Sequence, residues 1–224
     1  MNIKLLAYTP EPDFLVGRAA AICVGGDIYN VNACKQALKG AMASGHMSVV
    51  EHATFTFLLE GSSRVNLAQH TRHRVASYSV ESQRYCEGSG RNVVVPNSIA
   101  SDPELAKAYE CLAAHASAFY VECKRRGVDI EDARYGLLQG GTTRLIVTMN
   151  ARELLHFFNV RCCNRAQWEI RGMADKMLRL VKPVAPIIFA NAGPGCVHGK
   201  CPEGKKTCGQ PRTKSEWEAE AMEV

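Results

Sequence analysis

The chain lacks most of the features that would indicate its location or its ligand directly. No apolar run reaches the roughly 18 residues of a membrane span. The N-terminal segment has one lysine and a short apolar run that Pro10 and Pro12 interrupt, so it is not a signal peptide. Neither the dinucleotide fingerprint G-x-G-x-x-G nor the phosphate loop G-x-x-x-x-G-K-[ST] is present. Side chains, and not a glycine-rich loop, must therefore hold any phosphate.

The charge imbalance is also small. Lysine and arginine number 27 against 22 acidic residues, which gives a net charge of +5 at pH 7. This value suits an anionic ligand but does not by itself indicate nucleic acid. Ten cysteines without a secretion signal indicate a reducing compartment, in which thiols are free, metal-bound or catalytic. We therefore expect a cytoplasmic protein that does not associate with a membrane.

The order of the predicted elements favours an α+β fold. Alternating "ATFTFLLE" and the β-branched run "TRLIVTMN" predict strands, and so does segment 3–8. Apolar periodicity predicts helices over 13–24, Val31–Ala43 and 130–138, and a long helix through "AQWEIRGMADKMLRLV". Since the strands and helices do not alternate regularly, we predict a mixed or antiparallel sheet packed with long helices.

Side chains that cap helices are predicted at three positions. Each is a Ser or Asn, and two of them are followed by Glu three residues later. The predicted caps are Ser62 or Ser63, Ser101 with Glu104, and Asn150 with Glu153. We expect residues 1–190 to form one domain and residues 191–224, rich in Gly, Lys and Cys, to form an appended tail.

The stretch "RHRVASYSVESQRY", residues 72–85, is the strongest local feature. If the preceding helix ends near Arg72, the chain beyond it is extended and presents alternate side chains to opposite sides. Guanidinium groups bind phosphates bidentately, and hydroxyl groups complete the oxygen shell. The stretch could therefore meet two anions, one near Arg72–Arg74 and one near Ser82 and Arg84. The alternative is a solvated basic face.

Two further arginine sites support anion binding. Arg144 lies in a strand that otherwise looks buried, and Arg161, Arg165 and Arg171 surround "FFNVRCCNRAQWEIR". Buried arginines are rare unless they are paired, and carboxylates are few in these segments. An external anion is therefore plausible at both sites. His46 and His52 flank "MSVVE", where a structural histidine competes with a metal ligand.

These motifs together resemble the flavin-dependent thymidylate synthases. Arg72-His73-Arg74, then seven residues, then Ser82 resembles the family signature R-H-R-x7-S, and Ser77 and Arg84-Tyr85 fall on its longer pattern. The segments "GHMSVVEH", "TRLIVTMNARELLHFFNVR" and "AQWEIR" are similar to the same family in the same order. The resemblance spans about 45–171 and leaves out the cysteine-rich tail.

The resemblance implies a homotetramer with FAD bound across subunits. It implies reductive methylation of dUMP, with methylenetetrahydrofolate as carbon donor and NADPH as reductant, and no protein side chain that attacks uracil C6. The residues that resemble the dUMP site are Gln69, Arg72, Ser82, Gln83, Arg84, Arg144 and Arg171. Those that resemble the FAD contacts are Ser48, Glu51, Arg72, His73, Arg74, Asn159, Arg161 and Arg165. His46 matches a histidine near the flavin and folate, and Arg171 is the catalytic candidate.

The sequence departs from the family in two places: Ser79 and Val80 stand where many members carry Asn-Glu, and Thr71 and His70 replace the bulkier aromatic residues often found just before the signature. Glu81 follows one position after Val80. The carboxylate contact expected at position 80 is therefore in question. Whether Glu81 replaces it depends on the structure.

The tail contains a second candidate site. Cys196, His198, Cys201 and Cys208 lie within thirteen residues, and four soft ligands of this kind suit tetrahedral zinc. Their spacing matches no standard zinc ribbon or finger, and free thiols or a disulfide are the alternatives. A nucleic-acid-binding protein with a Cys/His metal site, and a thiol redox or metal-dependent enzyme, are the competing functions.

Overall fold

The computed structural model describes residues 1–213. Four strands form one sheet: β1 (Asn2–Tyr8), β2 (Thr54–Ser63), β3 (Ala76–Val80) and β4 (Thr142–Asn150). The helices in this part of the chain are α1 (Pro12–Cys23), α2 (Val31–Ala43), α3 (Arg64–His70), α4 (Asn97–Ala100), α5 (Pro103–Arg125), α6 (Ile130–Ala133), α7 (Ala151–Arg161) and α8 (Trp168–Val181). Short 3-10 helices cover Met47–His52, Arg134–Gly136, Gly195–His198 and Gly204–Lys206.

The sheet is antiparallel and has the strand order β1-β2-β4-β3. Backbone hydrogen bonds fix the register at the strand ends, since Thr9 N donates to Thr54 O and Ala151 N donates to Ala53 O. The predicted α+β class with an antiparallel sheet is therefore confirmed. Within residues 1–213, no helix is both long and apolar enough to cross a membrane.

The chain divides into two compact units. The first unit comprises Met1–Asn2, Leu59–Arg72 and Ser79–Ile146. Among the described residues, the second comprises Ile3–Leu58, His73–Tyr78 and 147–213. Each of the four strands β1–β4 contributes residues to both units. The boundary between the units also crosses the sequence "RHR", between Arg72 and His73. The tail boundary expected at residue 190 stays a prediction.

The second unit has an aromatic core. The ring of Phe189 packs edge-on against Phe55 at 5.3 Å and Phe158 at 5.9 Å, and Phe158 contacts Phe157 at 5.7 Å. All four rings are fully buried, which makes this cluster a major contribution of apolar burial. Asp13 near the start of α1 accepts hydrogen bonds from Ile187 N and Ile188 N and so ties that helix to the chain beyond α8.

The first unit contains the long helix α5, of which only Tyr120 is fully buried. Gly88 N donates to the Tyr120 hydroxyl oxygen over 3.2 Å, so the loop after β3 packs on this helix. Asp102, and not the predicted Ser101, caps α5, because its carboxylate accepts hydrogen bonds from Glu104 N and Leu105 N. The prediction of Ser101 as the cap was therefore wrong by one residue.

Two other predicted helix caps are present in the structure, and one predicted helix is shorter than expected. Ser63 accepts from Asn66 N at the start of α3, and Asn150 accepts from Glu153 N at the start of α7, as predicted. The helix predicted over 130–138 was wrong beyond Ala133, where a 3-10 turn begins. The backbone carbonyl groups of Gln139 and Gly141 accept hydrogen bonds from the first residues of α3, and this pairing draws the chain out of the helix.

Candidate active site

The signature places one buried histidine between two exposed arginines. Helix α3 ends at His70, and Arg72 and Arg74 are exposed while His73 is only 5% exposed. Alternate residues of β3 also differ in burial, with Ala76, Tyr78 and Val80 less exposed than Ser77 and Ser79. The predicted two-sided arrangement is therefore present.

His73 is held at both of its ring nitrogens within the second unit. Its Nδ1 lies 3.0 Å from Glu153 Oε1, and Arg161 Nε donates to its Nε2 over 3.0 Å. Because arginine can only donate, Nε2 must be unprotonated and Nδ1 must carry the proton that Glu153 accepts. Burial lowers the pKa of His73 below its ordinary value, and this outweighs the opposing effect of Glu153. The imidazole is therefore neutral in this arrangement.

The surroundings of His73 fix it further. Phe157 packs edge-on against the imidazole at 4.9 Å, and the Tyr78 hydroxyl donates to the His73 carbonyl oxygen over 3.0 Å. Burial raises the pKa of Tyr78, so its hydroxyl stays protonated and able to donate. Glu153 lies in the first turn of α7, which the Asn150 side chain caps. These contacts orient the pair His73 and Glu153.

The other predicted FAD residues of the second unit are mostly exposed. Glu51 pairs with Arg152, and Ser48 and His46 lie at the start of the same 3-10 helix. Asn159 is exposed on α7, and Arg165 is exposed in the turn after it. Cavities of about 630 Å³ and about 230 Å³ both have Asn159 in their walls, and the smaller one also contacts Arg161 and Arg165. The second unit thus brings several predicted cofactor residues to adjoining cavities.

In the first unit, one carboxylate contacts two arginine side chains. Glu81 accepts from Arg91 Nη2 at 2.7 Å and lies 3.2 Å from Arg144 Nε. The hydrogen bond from Arg91 is the main reason that the pKa of Glu81 lies below its ordinary value. Arg144 is 65% exposed, so the expectation that it is buried was wrong. Strand β4 buries Thr143, Leu145 and Val147 and therefore turns Arg144 to the opposite face.

The remaining substrate candidates of the first unit lie on or near this surface. Arg84 pairs with Glu131 at 2.6 Å and is half exposed, and its guanidinium lies 5.8 Å from the ring centre of Tyr85. The Ser82 hydroxyl oxygen accepts from Arg84 N over 3.1 Å and so shapes the turn that carries this arginine. Gln69 donates to Val65 O on α3, and Gln83 lies in the wall of a third cavity.

Arg171 differs from the other residues predicted to bind dUMP because it lies in the second unit. It belongs to the first turns of α8, whose N-terminus is capped by the Gln167 side chain. Its Nη1 donates to Asn164 O over 3.1 Å, so its orientation is fixed by the turn between α7 and α8. The Arg171 guanidinium is therefore held in a fixed orientation beside this turn.

Comparison with known proteins assigns the family. The family described as "Thymidylate synthase complementing protein" matches residues 4–187. The flavin-dependent thymidylate synthase of Geobacter sulfurreducens is 46% identical over 221 residues and covers 94% of each chain. The chain belongs to the flavin-dependent thymidylate synthase family. The family and the enzyme class predicted from the signature are thus confirmed.

Other flavin-dependent thymidylate synthases agree. That of Clostridium tetani is 41% identical over 233 residues and covers 94% of each chain, and that of Pyrococcus furiosus is 42% identical over 219 residues and covers 91% of this chain and 90% of its own. A crystal structure of a UMP/dUMP methylase, PolB from Streptomyces cacaoi, bound with 5-Br dUMP, superposes with a TM-score of 0.75. It covers 84% of this chain and 93% of that chain at 23% identity, so it shows the fold.

The predicted zinc site in the tail is not supported. Among residues 1–213, no group of three or more His, Cys, Asp or Glu side chains is placed to hold a metal ion. Cys196, Cys201 and Cys208 line the cavity of about 230 Å³, whereas His198 lines the cavity of about 630 Å³. His198 thus lines a different cavity from the three cysteines.

Sequence reasoning missed three partners of residues in the stretch 72–85, namely those of His73, Glu81 and Arg84. Glu153 was recognised only as part of a helix cap, and Arg91 and Glu131 were not singled out. The signal that could have found Glu153 is a carboxylate in the first turn of an apolar helix, where a buried basic group is its natural partner. Arg91 and Glu131 lie outside all the motifs, so only the fold reveals them.

Proposed function

We propose that this flavin-dependent thymidylate synthase converts dUMP into dTMP by reductive methylation, with methylenetetrahydrofolate as carbon donor and NADPH as reductant through FAD. The observation that carries the proposal is the buried, neutral His73, held by Glu153 and Arg161 inside the family signature. Such a fixed group with exposed arginines on either side suits an enzyme that positions two anionic ligands. No observation favours the nucleic-acid-binding or thiol-redox alternatives.

The residues of the second unit fit a flavin nucleotide. Arg74 and Arg165 form no ion pair with a carboxylate anywhere in residues 1–213, and both are exposed. They are therefore available for a diphosphate, while Asn159 and Ser48 offer hydrogen bonds. Glu51 and Arg161 complete the proposed FAD contacts, with His46 toward the flavin and folate. When bound, the flavin supplies the hydride chemistry, and these side chains supply binding and orientation.

The arginines of the first unit suit the dUMP phosphate. Arg84 and Arg144 are both more than half exposed, and each already holds a carboxylate that a phosphate can replace. Gln69, Arg72, Ser82 and Gln83 are assigned to the orientation of the nucleotide. Arg171 is proposed to stabilise negative charge that develops on the uracil ring, since its guanidinium is fixed by Asn164.

We also propose a homotetramer in the cytoplasm. Leu105, Leu112 and Phe119 are each more than half exposed and lie seven residues apart, so they form one apolar stripe along α5. Leaving such a stripe in water is unfavourable, and a second subunit would cover it. Light scattering of the purified enzyme should give four chains per particle, and a monomer at micromolar concentration would contradict this assignment.

The activity is tested with purified enzyme free of added nucleotides. We expect a yellow protein that releases FAD on denaturation and forms dTMP from dUMP only when methylenetetrahydrofolate and NADPH are both present. A folded, colourless protein that fails to bind added FAD would contradict the proposal. Rescue of a thymidine auxotroph, with soluble expression confirmed, provides an independent check inside the cell.

A further inference from the structure

A cavity in the first unit lies largely outside the set of residues assigned to the proposed reaction. It has a volume of about 480 Å³, within the range of ligand pockets. One wall is a face of α3 that includes Arg64, Ala68 and Thr71, and the opposite wall is formed by residues 134–139. We call it the α3 cavity. Of the residues assigned to dUMP, only Gln83 lines it, and Arg84 and Arg144 do not.

The α3 cavity carries uncompensated positive charge. Arg64 and Arg134 both line it, and no aspartate or glutamate does. Within residues 1–213, the Arg64 guanidinium forms no hydrogen bond or ion pair, and Arg134 Nε donates only to the backbone oxygen of Glu131. The pKa of Arg64 is lowered first by burial and then by repulsion from Arg134 and Arg91. An anion between Arg64 and Arg134 would relieve that repulsion.

The other groups on the wall suit a nucleobase. The ring of Tyr135 is 85% exposed, so one face is available for stacking. Gln83 and Gln139 offer amide donors and acceptors, as the edge of a base requires. Leu137 and Leu138 add apolar surface. Two cations, one aromatic ring and two amides around one cavity are the set of groups that a nucleotide needs.

The two walls are tied together by the backbone. Arg64 N donates to Gly141 O over 3.2 Å, and Val65 N donates to Gln139 O over 3.3 Å. The first turn of α3 is therefore fixed to the end of the opposite wall, and Arg64 is presented from a rigid element. A preformed cavity loses little conformational entropy when a ligand binds.

We propose that the α3 cavity is a second nucleotide site, which takes a nucleoside phosphate in addition to the dUMP of the reaction. Arg64 and Arg134 hold the phosphate, and Tyr135 stacks on the base. The site shares only Gln83 with the residues assigned to dUMP, so a nucleotide bound there changes the number of nucleotides per chain and not the chemistry of methylation.

The test counts nucleotides bound to the FAD-loaded enzyme. With dUMP held at a saturating concentration, equilibrium dialysis against labelled dTTP should show a further nucleotide bound per chain. Arg64→Met should weaken that binding by at least about tenfold, since one charge-assisted contact is lost. Arg125→Met removes the same charge from an exposed pair on α5 and should leave it unchanged. Ala68→Trp, which fills the cavity without altering charge, should also block it.

Three results would overturn the second site. The first is that dTTP binds only by displacing dUMP. The second is that Arg64→Met and Arg125→Met weaken dTTP binding equally, which would indicate a general field of the surface. The third is inorganic phosphate binding as tightly as dTTP with the same dependence on Arg64, which would leave an anion site without a base. Yellow colour and dTMP formation, measured on the same preparations, separate these outcomes from failure of the proposed function.

Discussion

The two compact units hold their arginines in different ways. In the second unit, Arg161 donates to a buried neutral histidine, which Glu153 fixes from the other side. In the first unit, Arg84 and Arg144 pair directly with the carboxylates of Glu131 and Glu81 near the surface. The neutral imidazole does not offset the positive charge of Arg161, whereas the carboxylates partly offset the charges of Arg84 and Arg144. The difference therefore concerns how much of each cation is available to a ligand.

This contrast indicates two ways of preparing a site for an anion. A guanidinium held by a neutral imidazole is oriented without losing its charge, so a ligand gains the full electrostatic interaction. A guanidinium paired with a carboxylate must exchange one anion for another when a phosphate binds. The second arrangement therefore binds a phosphate more weakly. The following predictions test this distinction in order of expected effect.

Removal of Glu153 should have the largest effect. Glu153→Ala leaves the buried Nδ1–H of His73 without its acceptor, which should lower the free energy of unfolding by about 1–3 kcal/mol. Loss of the fixed imidazole also disturbs the acceptor of Arg161 Nε, so FAD affinity should fall by about tenfold or more. Flavin fluorescence and urea unfolding of the enzyme measure the two quantities.

Glu153→Gln is the matched control for this change. The amide oxygen can still accept from Nδ1, so the tautomer of His73 should persist and most of the FAD affinity should be retained. If Glu153→Gln behaved like Glu153→Ala, the negative charge and not the hydrogen bond would be the important property. The neutral form of His73 can be followed by nitrogen chemical shifts in both variants.

The pairs of the first unit make an opposite prediction. Glu81→Gln removes the carboxylate that competes for Arg144, so the KM for dUMP should fall by about two- to fivefold. Arg144→Ala should raise that KM by about tenfold or more, because a charge-assisted contact to the phosphate is lost. Steady-state kinetics at saturating folate and NADPH measure both. An increase in KM in Glu81→Gln would show that Glu81 positions Arg144 instead of competing with the substrate.

The sequence was sufficient for the family and for the main elements. The motif R-H-R-x7-S and the strand "TRLIVTMN" are local patterns, and local patterns determine helix ends, strand alternation and caps such as Asn150. It was also sufficient to expect that His73 and its neighbouring arginines face opposite ways. Each of these features depends on residues that are close together in the chain.

The sequence was not sufficient for the partners of the arginines. Glu81 and Arg91 lie ten residues apart, and Glu153 lies 80 residues from His73, so the fold alone brings them together. Arg144 looked buried because its neighbours are apolar, but a strand exposes every second residue. The helix predicted over 130–138 ends at Ala133, and the chain beyond it instead pairs with the start of α3 through Gln139 and Gly141, a long-range contact that the local pattern does not show.

Acid should destabilise the two units at different pH values. The pKa of His73 lies below its ordinary value of 6.5, so the unfolded chain binds its proton at a higher pH than the folded chain. The stabilisation from neutral His73 is therefore complete above about pH 6.5 and is lost as the pH falls toward the folded pKa. Glu81, whose pKa lies below its ordinary value of 4.5, should begin to lose its contribution only below pH 4.5.

This order is measured by the melting temperature and FAD content of the enzyme across pH. We expect FAD release to begin below pH 6.5, before the unfolding that follows protonation of Glu81. Glu81→Gln should remove the step below pH 4.5 and leave the first step in place. Simultaneous loss of both properties near pH 4 would show that His73 does not control retention of the flavin.

The smallest effect is expected from the helix caps, one in each unit. Asp102→Ala in the first unit and Asn150→Ala in the second should each lower the free energy of unfolding by about 1 kcal/mol, since each cap satisfies backbone N–H groups at the start of a helix. Only Asn150 also orients the turn that carries Glu153. Asn150→Ala should therefore reduce FAD affinity by a few fold, whereas Asp102→Ala should leave it unchanged. Equal FAD affinities in the two variants would show that the contact between Glu153 and His73 keeps its geometry without the cap.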